Sequence, residues 1–199
     1  TQSRSSAASD VYKRQAVVFA TGRPLRWLDL LEVFTDVNPT VIASNGAVTY
    51  DLRNHRVISD TPFPIDVITD VVNDIASELP EAKFSLEEAQ RCCVEPGFDR
   101  VDHGRPVTHQ GPIHEFLTPD SRPVKMLVRA FDIPTEELFE IVDGVVDGRV
   151  STTFSVQLDD GLVELAPIGV SKGAALSATA EQLGVDLADA AAFLSLIHI

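Results

Sequence analysis

The sequence predicts an α/β fold: an incomplete Rossmann-like core with a parallel sheet, interrupted by an inserted α+β cap domain. Apolar segments with the length of buried parallel strands lie near both ends of the chain, at residues 16–20 and 190–193. Between them, strand-like segments and turns follow the pattern of an antiparallel sheet. We therefore expect the core at 16–61 and 168–199 and the cap at 62–167.

A polar leader precedes the first strand. Residues 1–15, TQSRSSAASDVYKRQ, are Ser-rich and aperiodic, which predicts a disordered or non-native segment. The apolar run that follows predicts a buried strand, with Thr21-Gly22-Arg23-Pro24 as its exit. Beyond it, Leu28, Leu31 and Phe34 recur at helical spacing and predict a helix with a core-facing side.

The next elements complete one parallel unit and lead into the cap. A strand at 40–43 is followed by Ser44-Asn45-Gly46-Ala47 and a further strand at 48–50. Strand, helix and strand in close succession predict a right-handed parallel crossover. In the cap we expect a helix at 66–79, a strand at 123–130, a helix at 135–142, and strands at 149–156 and 162–165 joined by a hairpin turn at Asp159-Asp160-Gly161.

The chain returns to the core through a predicted helix. Ser171 is a suitable N-cap and Gly184 a suitable C-terminal stop, so the helix is expected between them. A last buried strand is expected at 190–193.

Charge and composition restrict the class of partner. Thirty acidic and sixteen basic residues give a formal net charge of −14, which repels polyanions and argues against nucleic-acid binding. No apolar stretch has the length of a membrane span and no signal-peptide core opens the chain, so we expect a cytoplasmic protein without a membrane partner. Cys92 and Cys93 are adjacent, cannot staple distant segments, and predict an ordinary strand pair on opposite faces.

Thr21 and Gly22 are candidates for an anion site. Free backbone N–H groups and a hydroxyl bind anions where a parallel strand ends and a helix begins. The Thr21 hydroxyl can donate to a phosphoryl oxygen, and Gly22 has no Cβ to obstruct the approach. The alternative is that Thr21 only caps the helix.

Lys172 is the second candidate. An ammonium group in the first turn of a helix opposes the helix dipole and does not stabilise the helix. Its placement indicates a role in neutralising negative charge, such as that of a transferring phosphoryl group. The alternative is an exposed lysine whose aliphatic chain lies along the first turn.

Three segments in order resemble the motifs of haloacid dehalogenase-type phosphatases. They are Val17-Val18-Phe19-Ala20-Thr21-Gly22-Arg23-Pro24, Ile42-Ala43-Ser44-Asn45-Gly46-Ala47, and Gly169-Val170-Ser171-Lys172-Gly173-Ala174-Ala175-Leu176. The subgroup resembled is the Cof-like one, with a large α+β cap inserted after the Ser-Asn-Gly-Ala segment. The resemblance covers residues 16–193, and three ordered motifs are more specific than any one of them.

The resemblance implies a Mg²⁺-dependent phosphatase that acts on a small phosphorylated metabolite through an aspartyl-phosphate, with a sugar phosphate or a nucleotide-like cofactor as substrate. It implies that Thr21 binds the phosphoryl group and that Lys172 stabilises it and orients the nucleophile. The residues implied on the substrate side are Gly22, Arg23, Asn45 and Gly46. For Arg23, the alternative is an ion pair at the surface.

Two departures from the family pattern concern the chemistry. The family's nucleophile lies in an Asp-x-Asp-Gly-Thr motif before the first strand found here, but Asp10 is the only acid before Val17. The family's second metal-ligand motif is expected after Phe193, where Leu194 to Ile199 stand instead. We therefore expect a chain truncated at both ends, without protein ligands for Mg²⁺ and inactive by itself.

Other hypotheses stay open at this point. The chain could be a non-catalytic binding module that keeps an anion pocket, or a relative of phosphomutases or of sucrose phosphatases. A metal site at His103, His109 and His114 is not expected, because these residues lie among Gly and Pro without ligand-like spacing. The sequence does not determine the oligomeric state.

Overall fold

A computed structural model of the chain describes residues 15–99 and 107–193, which form two sheets. The four-stranded sheet has the strand order β1-β2-β3-β4, with β1 at Val18–Ala20, β2 at Thr40–Ala43, β3 at Val48–Asp51 and β4 at Arg56–Asp60. The first two strands are parallel, as the sequence predicts, and the other two extend the sheet in antiparallel pairs. The first fourteen residues of the predicted leader, His103 and residues 194–199 lie outside the described ranges.

The six-stranded sheet belongs to the middle of the chain and has the order β7-β6-β5-β8-β10-β9. Its strands are β5 at Lys83–Glu87, β6 at Cys92–Val94, β7 at His109–Gln110, β8 at Lys125–Arg129, β9 at Ser151–Thr153 and β10 at Leu162–Ala166. All neighbours are antiparallel except β6 and β7. The predicted antiparallel character of this region is therefore confirmed, whereas the domain limits at 61/62 and 167/168 stay a prediction.

One face of the six-stranded sheet is covered by helices α1 (Ile65–Glu78) and α2 (Thr135–Val146). The residues of α1 that enter this core recur at helical spacing and are fully buried: Ile68, Val71, Val72 and Ile75. Strand residues such as Leu86 and Met126 point into the same core. Because side chains alternate along a strand, Glu87 and its cross-strand partner Lys125 lie on the other face, away from the helices.

The helix predicted after β1 forms, but it is of the wrong type. Leu25–Trp27 and Asp29–Val37 are 3-10 helices. Of the predicted stripe, Leu28 is buried and Leu31 packs against the same core, but Phe34 is 44% exposed. Helices take most of their stability from tertiary packing, and only the first part of this one is covered by described residues, so the regular α-helical period is not enforced.

The hairpin predicted across Asp159-Asp160-Gly161 forms, because β9 and β10 are antiparallel neighbours, but its connection is longer than these three residues. The connection between β9 and β10 runs over residues 154–161, and it is tied to the loop before α2. The Gly161 N–H donates to the Ile133 carbonyl at 2.7 Å, and the Asp160 carboxylate accepts from the Asp132 N–H at 3.1 Å. These long-range hydrogen bonds determine the path of the loop, and local turn propensity does not predict them.

The last helix, α3 (Lys172–Leu183), has the predicted ends. The Ser171 hydroxyl accepts from the Ala174 N–H at 3.0 Å, and Gly184 ends the helix in the left-handed conformation. The strand expected at 190–193 does not form among the described residues, and Phe193 is 97% exposed. A strand requires a partner edge, and no described strand lies beside this segment. Among the described helices, none is long and apolar enough to cross a membrane.

The adjacent cysteines occupy β6, as predicted, and both are buried. Cys92 pairs across the sheet with Glu87, whereas Cys93 joins the core under the helices, so the two thiols lie on opposite faces. Burial and the nearby Glu87 carboxylate raise the pKa of the Cys92 thiol to about 11, and burial raises that of Cys93 as well. Both groups are therefore protonated at neutral pH.

We expect iodoacetamide to modify neither cysteine in the folded protein at about pH 8, because the thiolate is the reactive form. In denaturant, Cys92 and Cys93 should both be alkylated within minutes. Mass spectrometry of the intact chain measures the number of adducts. Rapid modification of the folded protein at either thiol would contradict the burial described here.

Candidate functional site

The first part of the site is the segment that leaves β1. The Thr21 N–H donates to the Ile42 carbonyl at 2.8 Å, which continues the parallel pairing by one residue. The Thr21 hydroxyl then accepts from the Arg23 N–H at 3.1 Å, and this bond closes a tight turn around Gly22. The sequence predicted that a helix dipole would help to bind an anion here. The 3-10 helix that follows has only three residues and supplies no such dipole.

The second part is the Ser44-Asn45-Gly46 turn at the end of β2. All three residues have positive φ, at 48°, 58° and 109°. The Asn45 N–H donates to the Thr21 carbonyl at 3.1 Å, which holds this turn against the first segment. The Asn45 side chain lies over Gly22, because a Cβ at Gly22 would be only 2.7 Å from the Asn45 Oδ1. Because Gly22 has no side chain, it leaves room for the amide group of Asn45.

The third part is the beginning of α3. Gly46 packs directly on the backbone before the helix, since a Cβ at Gly46 would be 2.5 Å from the Ser171 carbonyl carbon and 3.0 Å from the Lys172 nitrogen. Only glycine permits this approach. The Lys172 side chain begins from this contact and is exposed. Three segments that are distant in sequence, which carry Thr21, Asn45 and Lys172, therefore meet at one edge of the four-stranded sheet.

Arg23 takes a different position from the other candidates. Its backbone carbonyl accepts from the Ser44 N–H at 3.0 Å and so helps to join the first two segments. Its side chain is exposed and forms no ion pair with the residues that the structure describes. The surface ion pair considered for Arg23 is thus not formed within 15–99 and 107–193.

A buried charge cluster from the six-stranded sheet lies against the same turn. Glu164 on β10 accepts hydrogen bonds from the Asn45 Nδ2 at 3.0 Å and from the Ser155 hydroxyl at 2.6 Å, and it pairs with the Lys125 ammonium at 2.7 Å. The Lys125 Nζ is also 3.5 Å from the Gly22 carbonyl oxygen. The side chains of Lys125 and Glu164 are only 9% and 14% exposed. The cluster therefore connects the two sheets through Gly22 and Asn45.

The protonation of Glu164 follows from these contacts. Burial alone would raise the pKa of its carboxyl group, but the Lys125 charge and the hydrogen bonds from Lys125, Ser155 and Asn45 outweigh burial and lower it. Glu164 is therefore an anion at neutral pH. A carboxylate in this state only accepts hydrogen bonds, which suits the three donors around it.

A second buried pair joins the sheets nearby. Arg26 makes a bidentate ion pair with Glu87, in which Nη2 donates to Oε1 at 2.6 Å and Nη1 contacts Oε2. The guanidinium also lies 5.3 Å from the centroid of the Trp27 ring. At the surface, Arg122 pairs with Asp60 at 2.5 Å. The two sheets thus meet through charged groups as well as through the site.

Glu164, Lys125, Glu87 and Arg26 were not predicted from the sequence as parts of the site. Two of them carried a signal that was not used. Lys125 precedes the apolar Met126-Leu127-Val128 and Glu164 interrupts Leu162-Val163-Glu164-Leu165, so each places a charge inside a strand expected to be buried. Charges at such positions indicate partners that the local sequence does not show.

The described residues do not form a metal site. Within 15–99 and 107–193, no three His, Cys, Asp or Glu residues come together in an arrangement that could hold a cation. His109 and His114 belong to this range, and His109 stacks on Phe116 with 5.9 Å between ring centroids. His103 lies outside the described residues.

Comparisons with known proteins agree with this architecture. Residues 6–193 match the family model described as haloacid dehalogenase-like hydrolase. A search of curated proteins gave no match. Among solved structures, the chain is similar to a sugar phosphatase of HAD subclass IIB, at 16% identity and a TM-score of 0.67 over 86% of this chain and 64% of that one.

Two further structures are similar to the chain. One is a haloacid dehalogenase-like hydrolase from Bacteroides thetaiotaomicron, at 15% identity and a TM-score of 0.67 over 84% of this chain and 64% of that one. The other is a protein from Thermotoga maritima, at 23% identity and a TM-score of 0.68 over 87% and 68%. These likenesses confirm the predicted α/β fold with its inserted α+β unit. The chain spans 64% of the length of the first two structures.

Proposed function

Because the chain belongs to the family of haloacid dehalogenase-like hydrolases, we propose that the complete protein removes the phosphate group from a small phosphorylated metabolite. Sugar phosphates are the substrate class we favour, since one of the similar structures is that of a sugar phosphatase. The proposal places the protein in the cytoplasm and includes no nucleic-acid or membrane partner, in keeping with the net charge of −14.

The observation that carries the proposal is the contact of Gly46 with the backbone at Ser171 and Lys172. Together with the hydrogen bond from the Asn45 N–H to the Thr21 carbonyl, it brings the threonine segment and the lysine helix to one turn. A hydroxyl donor and an ammonium group on adjoining segments are suited to a phosphoryl group.

In this proposal each residue has a separate task. The Thr21 oxygen already accepts from the Arg23 N–H, so its own proton can be donated to a phosphoryl oxygen. Lys172 supplies positive charge to the same group and to the attacking carboxylate of the complete protein. The substrate-side residues would be Gly22, Arg23, Asn45 and Gly46.

Mg²⁺ is the cofactor that we expect for the complete protein, because it would neutralise phosphoryl charge during the transfer to an aspartate. The described residues do not fit this ion, since no group of three His, Cys, Asp or Glu among them could hold it. We therefore assign no protein ligand of Mg²⁺ within 15–99 and 107–193 and attribute no step of this chain's residues to the metal.

Titration calorimetry with inorganic phosphate tests the site. We expect measurable binding to the 199-residue chain, and a dissociation constant about tenfold higher for Lys172→Met, because a hydrogen bond to a charged group contributes about 1.5–3 kcal/mol. The matched control is Lys83→Met, which removes the same charge from β5. Equal affinities of the two variants, or no binding to the parent chain, would contradict the proposed site.

Turnover separates catalysis from binding alone. We expect the 199-residue chain to release no phosphate from p-nitrophenyl phosphate with Mg²⁺, because it has no Asp-x-Asp-Gly-Thr motif. The full-length gene product should release it, and a panel of sugar phosphates would then separate a phosphatase from a phosphomutase. Binding without turnover in the full-length product would favour a non-catalytic module, for which the preserved Thr21 and Lys172 segments are the supporting observation.

A further inference from the structure

Glu164 connects the six-stranded sheet to two residues on the substrate side of the site. Its Oε2 accepts from the Asn45 Nδ2 at 3.0 Å and lies 2.7 Å from the Lys125 Nζ. Lys125 in turn is 3.5 Å from the Gly22 carbonyl. No other carboxylate among the described residues has a hydrogen bond to the Ser44-Asn45-Gly46 turn.

Burying the Glu164 carboxylate in the six-stranded sheet costs free energy. Its neighbours on β10, Val163 and Leu165, are fully buried, and its own side chain is 14% exposed. Removing a carboxylate from water costs free energy unless good partners replace the solvent. Three donors provide this replacement, and one of them, Asn45, belongs to the site.

The geometry fixes the direction of the Asn45 amide. A carboxylate only accepts hydrogen bonds, so the NH₂ end of the amide must face Glu164. The Oδ1 end then lies over Gly22, at the position where a Cβ of that residue would be 2.7 Å away. The side chain of Asn45 is therefore oriented from the six-stranded sheet and not from its own turn.

We propose that Glu164 is a positioning residue, which holds Asn45 and, through Lys125, the Gly22 carbonyl in the arrangement that binds the phosphorylated ligand. This inference rests on the proposed function and adds to it a residue that the motifs do not include. It makes the six-stranded sheet a structural part of the anion site, since the substrate-side turn has its proper shape only when the sheet is docked on it.

The direction in which the affinity for phosphate changes on removal of Glu164 distinguishes a positioning role from a purely electrostatic one. Glu164 is a negative charge near a site for an anion, so its simple removal should strengthen phosphate binding. If Glu164 positions the turn, its removal weakens binding instead. We expect Glu164→Gln to raise the dissociation constant of inorganic phosphate about tenfold, measured by titration calorimetry on the whole chain.

Two further variants make the measurement decisive. Glu164→Asp keeps the charge but is too short to reach both partners, and we expect a similar loss; it also replaces Glu164→Gln if that variant does not fold. The control, Glu136→Gln, makes the same charge change at an exposed residue of α2 and should bind as the parent chain does. Unchanged or tighter binding of phosphate to both Glu164 variants would overturn the inference.

Hydrogen exchange tests the inference without relying on the ligand. In Glu164→Gln, backbone amides at 42–47 should exchange at least several-fold faster than in Glu136→Gln, as followed by mass spectrometry. If the parent chain does not bind phosphate, the proposed function fails, and exchange still decides the positioning role. Equal exchange in the two variants would overturn that role.

Discussion

Replacement of Gly46 with alanine is expected to lower the free energy of unfolding by about 3 kcal/mol and to abolish phosphate binding. The backbone of Gly46 has φ of 109°, which strains any residue with a Cβ. The added methyl group would also collide with the Ser171 carbonyl, 2.5 Å from its carbon atom. This neighbour is backbone and cannot turn aside as a side chain would.

Gly148→Ala is the matched control for this variant. Gly148 also has positive φ, at 70°, but a Cβ there would have no atom within 4 Å. Gly148→Ala should lower the free energy of unfolding only by the cost of the strained backbone, about 1 kcal/mol. Urea denaturation of both variants measures the difference. A Gly46→Ala protein as stable as Gly148→Ala would show that α3 does not pack on the turn as described.

Removal of the Glu87 carboxylate is expected to have the next largest effect, a loss of about 3 kcal/mol in the free energy of unfolding for Glu87→Ala. The side chains of Arg26 and Glu87 are 16% and 4% exposed. Without the Glu87 carboxylate, the guanidinium would keep the cost of burial but lose the opposite charge of this pair. The same denaturation measurement applies.

The comparison with an exposed pair and with a double variant tests the physical reason. Asp74→Ala breaks the pair with Arg149, whose side chains are 53% and 34% exposed, and should cost less than about 1 kcal/mol. Arg26→Met combined with Glu87→Ala should be less destabilised than Glu87→Ala alone, because the buried guanidinium is removed together with the carboxylate that neutralises it. A double variant less stable than the single one would show instead that packing of the Arg26 side chain matters more than its charge.

Features of the fold were predictable from the sequence where the interactions that determine them are local. The cap of α3 was predictable because Ser171 and Ala174 are three residues apart, and α1 because its buried residues repeat within the helix itself. Thr21 and Lys172 were candidates because of their places at a strand end and a helix start, and Asn45 was added by the family resemblance. Nothing in their spacing places the three side by side. Their roles in binding stay a prediction.

The predictions that failed, and the residues that were overlooked, depend on contacts between residues that are distant in sequence. The segment at 29–37 has the apolar spacing of an α-helix, but the partners that would enforce this period are not among the described residues, and Leu30 and Val33 are 77% exposed. Glu164 was overlooked because its three partners come from a turn, a strand and a loop. A pattern within one strand shows that a charge is buried, but not what neutralises it.

The contact between Asn45 and Glu164 joins residues 119 positions apart, and the pair of Arg26 with Glu87 spans 61. Closing such long loops costs entropy before the contacts can compensate for it, so we expect these pairs to form late in folding. During synthesis on the ribosome, the segments of the proposed site cannot come together until Lys172 has emerged and the six-stranded sheet has formed. Assembly of the proposed site should thus be among the last events of folding.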